Sequence, residues 1–232
     1  MSIPKVIHYV WMGQNDKPSS VVKCIESWKK ALPEYDIIEW NESNFNVNDF
    51  PYCKSAYEKK KWAFVSDYVR LYVLYKYGGI YLDTDVFVKK AFDDLLAFDL
   101  FLGKMYHTVI GTAVIGSQKG NLNIKTLMDN YDNGLYGHEI ANNFHFTKHF
   151  CDKYSIDILS KSERILFNNS VLLDRFSFEN PSLFYLNGYS VHHFDGSWIK
   201  KSEKSHLYKF FSNIFRRIDL LFYLERYIRT NR

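Results

Sequence analysis

Tyr77-Gly78-Gly79-Ile80-Tyr81-Leu82-Asp83-Thr84-Asp85-Val86-Phe87-Val88 is the stretch from which the fold is read. Two successive glycines stop a helix, because glycine tolerates the left-handed turn after a helical C-terminus. A strand is expected to begin at once and to run from Ile80 to Val88. Alternate side chains of a strand share a face, which puts Asp83 and Asp85 on one side and Thr84 on the other. Two carboxylates at a strand end form a hard-oxygen site suited to Mn²⁺ or Mg²⁺. In a chain with 16 Asp an Asp-x-Asp triplet also arises by chance, so its weight comes from its surroundings.

Upstream, a helical region is expected from about Lys54 to Tyr77. Phe64, Tyr68, Leu71 and Tyr75 fall at i, i+4, i+7 and i+11, one face of a helix. Asp67 and Arg70 stand three residues apart in it. Such a pair is either a solvated surface contact worth a few tenths of a kcal/mol or, in so apolar a segment, an inward-facing functional pair. Earlier still, the run from Lys5 to Met12 reads as a buried strand ended by Gly13. Pro18-Ser19-Ser20 caps a helix to Leu32 that Pro33 ends, and Asp36 to Trp40 reads as a second strand. An Asn-rich loop from Asn41 to Pro51 follows. Strand, helix, strand predicts an α/β sheet with its ligands at the strand ends, where Trp11 is either core or a stacking platform for a base.

Downstream, strands are expected at Asp99–Lys104, Thr112–Ile115 and Val171–Leu173, and helices at Leu122–Tyr131 and Ala141–Tyr154. His192-His193-Phe194-Asp195-Gly196-Ser197-Trp198 is a second group of chemically able side chains. Adjacent histidines point in different directions, so one of them is expected at a metal, with the satisfied-turn reading beside it. His193, near Gly196 and the aromatic Trp198, is the expected third ligand.

Charge is uneven. The formal net charge is +4, but the segment from Lys200 to Arg232 carries nine Lys/Arg against three acids, which leaves the rest mildly acidic. That disfavours a nucleic-acid partner. In this tail Leu207, Phe210, Phe211, Ile214, Phe215, Ile218, Leu221 and Phe222 recur at helical spacing among the basic residues. The pattern fits a helix lying on an anionic membrane surface, or one packed on the domain or a second subunit. The expected division is residues 1–204 as one catalytic domain and 205–232 as a basic helical tail. Cys24, Cys53 and Cys151 have neither disulfide-framework nor zinc spacing, consistent with a reducing cytoplasm. No secretory segment or spanning stretch is evident, so the expected location is cytoplasmic, peripheral on the inner face of the membrane through the tail.

Trp62-Ala-Phe-Val-Ser-Asp67-Tyr-Val-Arg70 through Tyr77-Gly-Gly-Ile-Tyr81-Leu-Asp83-Thr-Asp85 resembles the signature of glycosyltransferase family 32. This group includes bacterial capsule and lipopolysaccharide glycosyltransferases and yeast initiating mannosyltransferases, and is similar to the catalytic core of the large clostridial glucosylating toxins. Ile3 to Gly13 looks like its first strand and His193 to Trp198 like its C-terminal metal-and-donor loop. The resemblance implies a GT-A nucleotide-sugar-binding fold, with a mixed central sheet flanked by helices, and a retaining transferase using Mn²⁺ or Mg²⁺. It implies base stacking by Trp11; donor-sugar contacts from Asp67, Arg70 and Asp83; Tyr81 beside the phosphates or ribose; and Trp198 on the leaving phosphate. Asp85 is then the principal metal carboxylate and His193 another ligand, with Asp195 or Ser197 as replacements. The expected reaction moves a hexose from a UDP-sugar, or from GDP-mannose, to a glycan or lipid-linked glycan acceptor in cell-surface polysaccharide synthesis. Two rival readings stand beside it. One is a metal-dependent phosphatase or phosphotransferase, disfavoured because Val86 and Phe87 follow Asp85 where the haloacid-dehalogenase type has Gly and Thr. The other is a nucleotide-sugar-binding protein without turnover.

Overall fold

Val6 to Val10 is apolar and β-branched enough to be buried on both faces, and in the computed structural model it forms the strand β1 on which the sheet is built. The structure describes residues 2–106, 108–138, 142–179 and 188–193. The basic tail lies outside them, as do Asp195, Ser197 and Trp198.

After β1 come helix α1 (Ser19–Ala31), strand β2 (Asp36–Trp40), and helices α2 (Pro51–Glu58) and α3 (Trp62–Tyr77). Strands β3 (Gly79–Leu82), β4 (Val86–Val88), β5 (Leu100–Tyr106) and β6 (Val109–Ser117) follow, then helices α4 (Leu122–Asp132) and α5 (Asn142–Tyr154). Strands β7 (Arg164–Phe167) and β8 (Ser170–Leu173), the short helix α6 (Arg175–Phe178) and strand β9 (Ser190–His192) complete the described part.

Seven strands form one mixed sheet in the order β2-β1-β3-β6-β5-β8-β7, and β4 and β9 pair separately. β1 is parallel to both neighbours, β2 and β3. The chain therefore leaves β1 to one side and returns on the other, which opens a crevice beyond the C-terminal ends of β1 and β3. Trp11 follows the first of these ends and Asp83 the second.

Helices cover both faces. Val65, Leu71, Ile124, Leu127, Phe146 and Phe150 belong to the core between the sheet and α3, α4 and α5. Cys24 and Trp28 of α1 join Val86 and Val88 of β4 in the core on the opposite face. The mixed sheet flanked by helices is the architecture expected from the sequence.

Two expectations need correction. The strand from Ile80 to Val88 is broken: β3 ends at Leu82 and β4 starts at Val86, in the other sheet. The helical region from Lys54 divides between α2 and α3, at a turn where Lys60 has φ 55°. The N-cap of α1 is Pro18, within the expected Pro18-Ser19-Ser20 segment, and no side chain caps the helix. In addition, α3 is not one-sided, since Val65, Tyr68, Val69, Arg70, Leu71, Val73 and Leu74 are all buried. A helix enclosed this way by α2, α4 and the sheet brings its charged residues inside with it.

The junction between α3 and β3 depends on glycine. Gly78 has φ +70° and Gly79 φ +104°, and a Cβ on Gly79 would lie 2.6 Å from the Val6 carbonyl oxygen. His8, fully buried, sits 2.8 Å through Nε2 from the Gly78 carbonyl, while Trp40 Nε1–H donates to its Nδ1. The Trp40 donor makes Nδ1 the acceptor and places the ring proton on Nε2.

Candidate functional site

The Asp83-Thr84-Asp85 segment is a turn, closed by the Val86 N–H donating to the Asp83 carbonyl at 3.1 Å. Both flanks are fixed. The Asp83 N–H donates to Ala113 of β6 at 2.8 Å. On the other flank, Trp28 Nε1–H donates to the Val86 carbonyl at 2.7 Å, and the Val88 N–H donates to Ser27 Oγ at 3.0 Å. Anchoring by α1 and β6 fixes this segment, so a turn and not the expected strand carries the two carboxylates.

Arg70 faces inward and is 4% exposed. Its Nη2 lies 3.0 Å from Asp67 Oδ1 and 3.2 Å from Asp83 Oδ1. Nη1 donates to the Thr112 carbonyl at 2.8 Å and Nε to the Ser66 carbonyl at 3.3 Å. Burial pulls the guanidinium pKa down, but Asp83, Tyr81 and Asp67 outweigh it and hold the pKa above the ordinary value. The surface-pair reading of Asp67 and Arg70 is therefore set aside. Tyr81 completes the group: its hydroxyl donates to Asp83 Oδ1 at 2.8 Å, and the Arg70 guanidinium lies 4.7 Å from its ring centre. Burial pushes the Asp67 carboxyl up to about 6, with the Arg70 charge opposing the rise.

Asp83, Asp85 and His192 offer ligand atoms that all lie within 4.8 Å of one another. Two carboxylates and one imidazole nitrogen suit a divalent cation such as Mn²⁺ or Mg²⁺. His192 Nε2 is 3.1 Å from Asp85 Oδ1, and Nδ1 is 2.6 Å from Glu179 Oε2. Burial disfavours charge on the ring, yet Glu179 and Asp85 outweigh it and hold the His192 pKa above the ordinary value.

The histidine brought to the aspartates is thus His192, one residue before the one expected. His193 is exposed; its N–H donates to the Asp85 carbonyl at 3.0 Å and its ring meets Phe87. Pairing of β9 with β4 puts His192 opposite Val86, and strand alternation sends the next side chain to the other face. Asp195, Ser197 and Trp198 fall outside the described residues. Sequence reasoning also missed Glu179, and Asn142, whose Nδ2 is 3.5 Å from Asp67 Oδ1. Neither sits in a pattern that points to a site.

Trp11 is half-buried and borders a separate open cleft of about 330 Å³ together with Asn15, Lys17, Glu39, Asn41 and Glu42. Its indole N–H donates to the Asn15 carbonyl at 2.7 Å, and Lys17 Nζ lies 5.7 Å from its ring centre.

The family model described as glycosyltransferase sugar-binding region containing DXD motif matches residues 18–102. This span holds Asp67, Arg70, Tyr81, Asp83 and Asp85. Residues 18–102 are thus similar to the sugar-binding region of DXD-type glycosyltransferases. Inositol phosphoceramide mannosyltransferase 3 of Schizosaccharomyces pombe is 32% identical over 124 residues, 52% of this chain and 35% of that protein. An uncharacterized glycosyltransferase of Acanthamoeba polyphaga mimivirus is 30% identical over 141 residues, 58% of this chain and 49% of that protein. The chain therefore spans between a third and a half of these relatives' length. Among solved structures, the PaToxG glycosyltransferase superposes with TM-score 0.56 and 22% identity, over 66% of this chain and 69% of that one. The fold is shared with a glycosyltransferase, as the GT-A expectation required. No helix among the described residues is long and apolar enough to cross a membrane.

Proposed function

We propose that the chain is a retaining glycosyltransferase of the family 32 type, moving a hexose from a nucleotide-sugar donor to a glycan or lipid-linked glycan in cell-surface polysaccharide synthesis. The observation that carries this reading is the convergence, inside the DXD region, of Asp67, Arg70, Tyr81 and Asp83 on one buried network beside Asp85 and His192.

Asp83, Asp85 and His192 would hold Mn²⁺ or Mg²⁺, which supplies positive charge to the diphosphate leaving group when bound. Asp67 and Asp83 receive the sugar hydroxyls. Nε, Nη1 and Nη2 of Arg70 all meet protein acceptors, which supports a part for it in holding these two carboxylates in place, beside the stabilisation of the departing diphosphate expected of it together with the cation. Fixing charged groups before reaction in this way is commonly a large contribution to rate. Trp11 stacks on the base in its cleft, at the end of the strand next to the one that leads into Asp83. The donor is a UDP-sugar or GDP-mannose, and the name of the S. pombe relative keeps mannose in the set. Residues 205–232 act as a basic tail on an anionic membrane surface.

Asp83 Oδ1 already accepts from Arg70 and Tyr81, an arrangement suited to an anchor and unlike a free phosphatase nucleophile. Incubation of the full chain with a panel of UDP- and GDP-hexoses, with and without Mn²⁺, tests the proposal. Release of nucleoside diphosphate from one donor, stimulated by Mn²⁺, is expected; intact donors throughout would sink it.

A further inference from the structure

Glu179 is 1% exposed, carries a carboxylate, and has no part in the network around Arg70. It grips His192 twice: Oε2 lies 2.6 Å from Nδ1, and its carbonyl accepts the His192 N–H at 3.1 Å. The grip continues along the chain. The Tyr189 N–H donates to the Ser177 carbonyl at 2.7 Å, and Ser190 Oγ donates to the Phe178 carbonyl at 2.9 Å. α6 and the residue after it therefore align β9 in register. Room for the carboxylate exists because residue 111 is glycine: a Cβ there would lie 2.1 Å from Glu179 Oε1.

A buried carboxylate is costly to desolvate and persists where a partner and a task offset that cost. Both ring nitrogens of His192 face carboxylates, Glu179 on one side and Asp85 on the other. A neutral imidazole that ligates a cation needs its other nitrogen protonated and hydrogen-bonded, which fixes the tautomer and raises ligand basicity. We propose that Glu179 is the positioning residue of a carboxylate–imidazole–cation relay, holding the proton on His192 Nδ1 so that Nε2 is presented as a ligand beside Asp83 and Asp85. The inference rests on the proposed cation site and goes beyond it by naming which nitrogen binds and what directs it.

Mn²⁺ binding to the full chain, read by electron paramagnetic resonance of the free ion, is the test. The Glu179→Gln variant is expected to bind Mn²⁺ about 10- to 100-fold more weakly than the wild type. In a His192→Gln background the same change is expected to add no more than about twofold, because Glu179 acts through that ring. Equal affinity of wild type and Glu179→Gln overturns the relay and leaves the cation site standing. Full additivity of the two changes overturns it as well. Absence of Mn²⁺ binding by the wild type removes relay and cation site together. A second readout needs no variant at the pair: long-range ¹H–¹⁵N spectra of the wild type with Mg²⁺. With Mg²⁺ bound they are expected to show the His192 proton on Nδ1 and an unprotonated, shifted Nε2; a proton retained on Nε2 in the Mg²⁺-loaded protein contradicts the relay.

Discussion

Arg70 and Asp83 lie on different elements, α3 and the turn after β3, yet Nη2 of the first is 3.2 Å from Oδ1 of the second. The same nitrogen is 3.0 Å from Asp67 Oδ1. One cation thus organises two carboxylates, and its removal leaves both without the positive charge between them. Arg70→Met is expected to lower unfolding free energy by about 3–5 kcal/mol, the cost typical of breaking a buried pair. Chemical denaturation measures it, and a loss under about 1 kcal/mol would show that the network does not hold the site together.

Asp85→Asn keeps the size of the side chain while removing a charge beside His192. Expected is a folded protein whose donor turnover falls by about 10²- to 10³-fold or more, the scale seen when a preorganised charge partner is lost. Steady-state kinetics beside a thermal melt separates this from unfolding, and retained turnover in a folded variant would remove Asp85 from the chemistry.

The sequence was most legible where hydrophobic period and turn residues agree. β2 at Asp36–Trp40 coincides with its expected bounds, and the Gly78-Gly79 stop falls at the end of α3. Residues 18–102, the span in which the resemblance was dense, hold Asp67, Arg70, Tyr81, Asp83 and Asp85. What escaped was set by tertiary contacts. Trp28 and β9 capture Val86–Val88 for a second sheet, which no local pattern announces. The side of β9 that faces Asp85 follows from its pairing with β4, so nothing in the His192-His193 pair selects the first residue. Glu179 gains meaning only through the absent side chain at Gly111.

His8 predicts an acid limb in stability. Burial pushes its pKa down to about 4, with the Gly78 carbonyl opposing the fall. The unfolded chain therefore takes up a proton near pH 6.5 that the folded chain refuses until about pH 4. Stability is full above pH 6.5 and falls as pH drops through this window, by about 3 kcal/mol in total. Denaturation midpoints of wild type and His8→Gln between pH 7 and pH 4 check it. The variant is expected to lose the part of the slope due to His8, and parallel curves contradict the assignment.

Gly79→Ala sets a Cβ 2.6 Å from the Val6 carbonyl oxygen at φ +104°. The position joins α3 to the strand that leads into Asp83, so relief by local movement would misplace the site. A loss of about 1–3 kcal/mol is expected, read as a lower melting temperature; an unchanged melt would mean that the junction yields without cost.

The central claim is a cation-assisted nucleotide-sugar site built from Asp83, Asp85 and His192. Calorimetric titration of UDP and of GDP into the purified full chain, each with and without Mn²⁺, tests it most directly. The account predicts that one of the two nucleotides binds and that its binding requires Mn²⁺. Binding of neither, or binding of equal strength without the metal, would contradict it.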